Sequence, residues 1–535
     1  MLKKLIQLYH TLKHLKQKQF TYRFYYLLRN FMRKVIKYKY PIFVPTVSKE
    51  IRLEEHQPFS IYNIYENNTF TFIGISHQFQ ENEIDWNYSI YGKLWNYNLT
   101  YFDFLQQENM SKDEGVSLIK KFIDYPQIIR GKEMPFPISL RNINFIKFIS
   151  RKNIKNEQID SFLFNQYFIL MDNLEYHFLG NHLLENGFSL LFGAYYFEDE
   201  KLYKEASKIL TEELSEQILN DGAHFELSPM YHQIMLFRML DCINLIKNNL
   251  WKNQNLLNFL IIKAQLMLGW LENITYKNGD IPLFNDSAKG IAPTSSELFK
   301  YAKKLNLEVT KIALNESGYR KKENEYYECM MDVGNIGPDY IPGHAHSDTF
   351  NFELMVNHSP VIVDTGLSTY EAGQRRTEER STSSHNTVEI NGENQTEVWG
   401  AFRVARRAKI IQLKEDANTI EATHDGYKHR GFLHTRKWDF NDKKITIIDT
   451  IIGDREGNSI GYLHFHPDVT IEINKNLIIS SLIKISFSNI DTLSISRYNY
   501  CNNFNQKTTS SVVIIKFKKT MRMEIVFNET TIFNR

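Results

Sequence analysis

The sequence predicts an α+β multidomain chain, with helical hairpins packed round a common axis followed by an antiparallel β-sandwich. Apolar residues recur at helical spacing from about Tyr91 to Leu305. Beyond about Leu314 these stripes give way to short alternating runs separated by Gly, Asn and Asp. At 535 residues, 42% hydrophobic and 24% charged, the chain has room for two or three domains and a composition far from disorder. These readings divide it into an N-terminal leader and irregular region (1–80), a helical domain (81–315) and a β domain (316–535).

The leader is basic. Residues 1–40 hold 11 Lys or Arg and no Asp or Glu, whereas the whole chain sums to +2, so the remainder is mildly acidic. Leu5, Leu8, Leu12 and Leu15 lie on one helical stripe. Such a helix lies on an anionic membrane surface, packs on its own protein or docks on a partner. The leader lacks the apolar run and small-residue cleavage site of a signal peptide, and no 18-residue apolar stretch follows. The expected location is therefore the cytoplasm, including its membrane face. Three scattered cysteines, Cys242, Cys329 and Cys501, are too few for a disulfide framework. Nothing in the charge pattern points to nucleic acid.

Residues 41–80 read as irregular with a small strand region. Helices are expected at Tyr101–Gln107, Lys112–Tyr125, Ser139–Ser150, Glu157–Gly180, His182–Phe197, Glu200–Asn220, Pro229–Asn249, Leu256–Tyr276 and Ser295–Leu305. No fixed-period repeat is visible, which argues against a regular solenoid. Strands are expected at Phe350–Val356, Thr387–Ile390, Lys409–Leu413, Lys444–Ile452, Leu477–Ile485 and Ser511–Phe517.

Four stretches carry chemistry. In Gly180–Gly187, Asn181 and Glu185 share a helix face and His182 sits beside them; Asn181 also reads as a simple N-cap. In Asp221–His232, Ser228 and Pro229 start a helix. Tyr231 and His232 then fall in its first turn, where the dipole favours an ionised phenol or a neutral imidazole. In Pro342–Val356, His344 and His346 are two residues apart on an extended chain, so both can address one site. Finally Asp364, Tyr370, Arg375, Arg376, Arg380 and His385 follow in sequence. His346, Asp364 and His385 make a usable zinc set, though Asp364 is equally read as orienting a histidine. The arginines suit carboxylates or sulfates.

Together these residues resemble the heparinase II/III family of polysaccharide lyases, including related alginate lyases. The similar segments are Pro135–Arg141, Gly180–Gly187, Asp221–His232, Gly279–Ser287, Gly343–Glu353, Val363–Tyr370, Arg380–Gly392, Gln395–Arg407 and His424–His434. They span about residues 90–450 in the family's order. The resemblance implies an (α/α) toroid followed by a β-sandwich, with a cleft between them that binds an anionic polysaccharide or oligosaccharide. It implies β-elimination at a uronic acid. Asn181 would neutralise the uronate carboxylate, and Tyr231 and His344 would supply acid and base. His182, Glu185, His232, Tyr370 and Arg376 would bind or orient substrate. A structural zinc on His346, Asp364 and His385 is implied, and no organic cofactor.

Exported degraders are usual in that family, so the missing signal peptide suggests capsule or exopolysaccharide metabolism instead. Two other functions remain open at this level. One is a non-catalytic glycan-binding or assembly protein of a surface-polysaccharide pathway. The other is a zinc hydrolase using His344 with the three candidate ligands.

Overall fold

Small polar residues decide where several helices begin. The structure, a computed structural model, describes residues 2–45, 47–54, 62–80, 83–125 and 134–528. Its N-terminal arm is α1 (Leu2–Leu12) and α2 (Gln17–Val35). A three-stranded sheet follows, Ile64–Glu66, Thr69–Phe72 and Ile75–Gln78. The helical domain comprises α3 (Lys93–Tyr101), α4 (Lys112–Ile123), α5 (Pro135–Arg151), α6 (Glu157–Asp172), α7 (Gly180–Phe197), α8 (Glu200–Gln217), α9 (Pro229–Asn248), α10 (Asn255–Ile274) and α11 (Ser295–Lys304). Ser111, Asn156, Asp199, Ser228 and Thr294 each accept first-turn N–H groups with their side chains, which satisfies donors the helix itself cannot.

Two expected helices are corrected. Tyr101–Gln107 is the end of α3, then Phe102 in the left-handed region and a 3-10 turn at Asp103–Gln106. Glu157–Gly180 stops at Asp172, and residues 173–179 turn back before α7. The apolar stripes meet in one core that includes Trp95, Phe145, Leu184, Phe188, Leu236 and Trp270, each fully buried. Among the described residues, no helix is long and apolar enough to cross a membrane.

The last toroid helix ends at Lys304, and the first strand of the β domain begins at Tyr319. Three larger antiparallel sheets and a two-stranded hairpin at 398–404 follow. One orders strands 410–415, 419–424, 433–441, 444–452, 520–527, 483–488, 477–479 and 472–474. The second orders 492–500, 508–517, 459–464 and 388–390, and the third 319–323, 327–332, 352–356 and 359–362. Alternation buries one face of strands such as 433–441 and 520–527, whereas 327–332 and 352–356 are buried throughout, and Cys329, Leu354, Trp438, Ile447, Val513 and Ile525 from all three sheets share one core. The expected run Leu477–Ile485 is two strands, because Ser480 caps a turn by accepting the N–H groups of Leu482 and Ile483. The sequence pattern also misses a short helix, α12 (Gln374–Glu379), inside the β domain.

The N-terminal arm packs on its own protein. On α1, the Gln7 amide bonds Glu397 at 3.2 Å, and Thr11 accepts the Trp399 indole N–H at 3.1 Å. On α2, Gln19 and Arg23 donate to the carbonyls of Phe178 and His177, and Arg29 and Arg33 both pair with Asp172. The arm thus bridges the β domain and residues 173–179, the segment that leads into Asn181.

Candidate active site

Backbone geometry presents the site residues before their side chains do. Leu179 sits at φ 64°, ψ −156°, a region that only glycine enters freely and that costs another residue on the order of 1–3 kcal/mol. It is buried, and its N–H is held by the Glu175 carbonyl at 2.9 Å. Leu227 (φ 56°) and Asn285 (φ 56°) are likewise left-handed. Each lies one or two residues before a group that matters below: Asn181, Ser228 and Asp286.

Asn181 is the second residue of α7, whose cap position is Leu179. The simple N-cap reading is therefore excluded. Its backbone N–H bonds Glu226 at 3.3 Å. Its carboxamide makes no hydrogen bond to protein among the described residues and lines a cleft of about 650 Å³ together with Tyr231, His344 and Tyr370. A smaller cavity of about 190 Å³, lined by Glu185, lies on the other side of Asn181, Tyr231 and Tyr370.

Tyr231 is in the first turn of α9, as expected, with its N–H on Ser228 Oγ at 3.2 Å. The expectation of an ionised phenol fails. Burial, helped by the nearby Asp286 and Glu226 carboxyls, drives its pKa up despite hydrogen bonding by Tyr370 and the Arg376 charge. The phenol enters as a proton donor. Tyr370 donates to its oxygen at 3.2 Å, and its ring lies 3.9 Å from that of His344.

His344 and His346 lie on a loop rather than a strand, the strand beginning only at Phe352. Their rings nevertheless meet at one carboxylate, Asp286: His344 Nδ1 lies 2.8 Å from Oδ2, and His346 Nε2 lies 2.8 Å from Oδ1. Arg376 grips the same carboxylate from the other side at 2.5 and 2.7 Å. Burial opposes the charge on Asp286, but the Arg376 guanidinium and the two imidazole hydrogen bonds hold its carboxyl well below the usual range. An ionised carboxylate only accepts, so His344 carries its hydrogen on Nδ1 and its Nε2 is left as an acceptor. Nε2 faces Glu226 Oε2 at 3.4 Å. Burial pushes the Glu226 carboxyl up, against the opposing pull of His344 and the Asn181 N–H.

The remaining site residues divide. His182 faces the cleft between Phe136 and Phe178, held by Glu175 at 3.0 Å. Burial lowers its pKa, but Glu175 outweighs this and the net shift is upward. Glu185 is buried and paired with Arg238 at 3.3 Å. His232 does not reach the cleft. It is fully buried, Nδ1 accepts the His224 N–H, Nε2 bonds the Met267 carbonyl, and burial lowers its pKa to about 3. Arg376 is also withdrawn from substrate: it is fully buried, and its Nε donates to the Ala401 carbonyl. Its place is behind Asp286.

His346, Asp364 and His385 are all buried; His385 and Asp364 are hydrogen-bonded, and the His346 ring lies 5.2 Å from that of His385. His385 Nδ1 lies 2.7 Å from Asp364 Oδ2, which also accepts from Asn351, and Asp364 Oδ1 accepts the Gly366 N–H. His346 Nδ1 and His385 Nε2 are buried without partners and could serve as donors to a metal. The Asp364 carboxylate accepts three hydrogen bonds from protein groups. Among the described residues, no group of three or more His, Cys, Asp or Glu is disposed to hold a metal ion.

Sequence reasoning assigned no role to Asp286 or Glu226, although both lie inside the quoted segments. It also missed three cations of the cleft, Arg23, Lys93 and Arg403. Arg23 comes from α2, Arg403 from the 398–404 hairpin. None of the three is ion-paired among the described residues, which leaves the cleft positive.

Comparison with known proteins agrees with this architecture. The heparinase II/III N-terminus family matches residues 132–307, and the heparinase II/III-like C-terminal family matches residues 309–528. A heparin-sulfate lyase of Bacteroides stercoris is 23% identical over 313 residues, 52% of this chain and 45% of that protein. One from Pedobacter heparinus is 24% identical over 326 residues, 55% of this chain and 48% of that protein. The chain thus spans about half the length of these curated relatives. Among solved structures, a heparinase III superposes with a TM-score of 0.67 at 18% identity, covering 95% of this chain and 90% of that one. A heparan sulfate lyase mutant of Pedobacter heparinus superposes at 0.57 with 16% identity, covering 87% and 82%. These likenesses establish the fold, an (α/α) toroid followed by an antiparallel β-sandwich.

Proposed function

The chain belongs to the heparinase II/III family, and from that premise we propose that it is a polysaccharide lyase cleaving a uronic-acid-containing anionic polysaccharide by β-elimination. One observation carries the reading: an unpartnered carboxamide (Asn181), a protonated phenol (Tyr231) and an imidazole anchored through Nδ1 on Asp286 (His344) converge on one positive cleft between the two domains.

Each group has a task the reaction needs. The C5 hydrogen of a uronate is a poor acid because the neighbouring carboxylate is already negative. Asn181 donates to that carboxylate and stabilises the enolate-like charge that develops on it. His344 Nε2 takes the C5 proton, and Asp286 on Nδ1 stabilises the imidazolium. The C4–O bond breaks, its electron pair goes to the leaving oxygen, and Tyr231 protonates that oxygen. A C4–C5 double bond is left in the product. His182, Arg23, Lys93 and Arg403 hold the anionic chain. No step is routed through a metal.

We place the substrate among uronate polymers, with capsule or exopolysaccharide metabolism as the setting. Incubation with a panel of such polymers should give products with the ultraviolet absorbance of an unsaturated uronate, seen also in their mass. A folded protein that binds these glycans yet yields no unsaturated product would overturn the proposal and leave the glycan-binding alternative.

A further inference from the structure

The N-terminal arm is amphipathic, but it faces the wrong way for a helix that only packs on its own protein. Its polar side is turned inward. Gln19, Arg23, Tyr26, Arg29 and Arg33 bond the 172–178 segment, and Tyr22 stacks on Tyr176 at 4.7 Å. Its apolar side is turned to solvent. Phe24 (70% exposed), Leu27 (71%), Phe31 (66%) and Val35 (65%) recur at helical spacing, with Phe20 and Leu28 beside them and Ile36 directly after. Contiguous apolar patches of this kind mark an interaction site.

Charge selects the occupant. The arm has no acidic residue between Met1 and Tyr40, and Lys34, Lys37 and Lys39 at its C-terminal end are exposed without an ion pair among the described residues. A helix with one apolar aromatic face, basic flanks and too little hydrophobic length to span is suited to lie in the interface of an anionic bilayer. We propose that the outer face of α2 docks this protein on an anionic lipid surface. The inner side of the same helix supplies Gln19 and Arg23 to the cleft wall. Docking therefore sets the cleft beside glycan held at that surface, and the lipid contact is independent of the lyase chemistry.

The test is cosedimentation of the full chain with vesicles of equal parts phosphatidylglycerol and phosphatidylcholine, against phosphatidylcholine alone. At about 1 kcal/mol per basic residue near the surface, the anionic vesicles should retain about tenfold or more protein. Phe24→Glu with Phe31→Glu should abolish retention, and K34E with K37E and K39E should remove the preference for anionic lipid. Both variants change solvent-exposed side chains, so their melting temperatures should match the parent. Equal retention on both vesicle types, or none, overturns the proposal. So does a concentration-dependent dimer that the double Glu variant dissolves, because a second copy would then cover the face.

Discussion

Asp286→Asn is the sharpest perturbation of the proposed mechanism. The carboxylate is fully buried and accepts from three side chains: His344, His346 and both terminal nitrogens of Arg376. An amide of the same shape offers one acceptor and one donor, so it cannot satisfy them all. Two losses follow. The buried Arg376 guanidinium loses its counter-charge, and breaking a buried pair costs about 3–5 kcal/mol. The amide also stops specifying which His344 nitrogen carries the proton. A histidine base in the wrong tautomer loses about three to four orders of magnitude in kcat. Initial rates from product absorbance, with KM measured alongside and a thermal melt of each protein, separate the effects. The expected result is a lowered melting temperature and a collapse of kcat with little change in KM. A variant that melts lower but keeps kcat within about threefold would show Asp286 to be only a structural anchor, and the assignment of His344 as base would fall with it.

Tyr231→Phe should lose turnover by about 10²–10⁴-fold, the usual worth of a general acid, while glycan binding by calorimetry persists; retained turnover would return the acid role to another group. Arg23→Ala or Arg403→Ala should raise KM for an anionic polymer and flatten its dependence on salt, with kcat nearly unchanged, and a pure kcat defect would contradict a binding role. Stability should fall on the acid side. Burial depresses the folded-state pKa of His232 from 6.5 to about 3, and burial shifts His224 in the same direction. The unfolded chain therefore binds protons that the folded chain refuses between those values, and stability drops as pH falls from 6.5 toward 3. At pH 5, His232 alone accounts for about 2 kcal/mol. Melting temperatures that are flat from pH 7 to 5 would refute this.

Much of the architecture was legible because it depends on local pattern. The change from helical stripes to alternation placed toroid and sandwich, and Ser228 with Pro229 marked the start of α9 to the residue. What was missed depends on contacts across sequence. Nothing near Asp286 says that His344, His346 and Arg376, between 58 and 90 residues away, will converge on it. Arg376 was expected at the substrate from residue type and His232 from the family resemblance, yet burial and hydrogen bonding to protein decide otherwise. The Tyr231 phenol was misread because a helix-dipole argument weighs a few tenths to 1 kcal/mol, whereas burial, invisible in sequence, outweighs it. The orientation of α2 was equally hidden, since an amphipathic stripe does not state which side meets the protein.

The central claim is elimination without water. A reaction run in heavy-oxygen water, with a uronate polymer that the protein turns over, tests it directly by product mass. The account predicts unlabelled products, one of them ending in an unsaturated uronate. Incorporation of heavy oxygen into a saturated product would mean hydrolysis, and would contradict it.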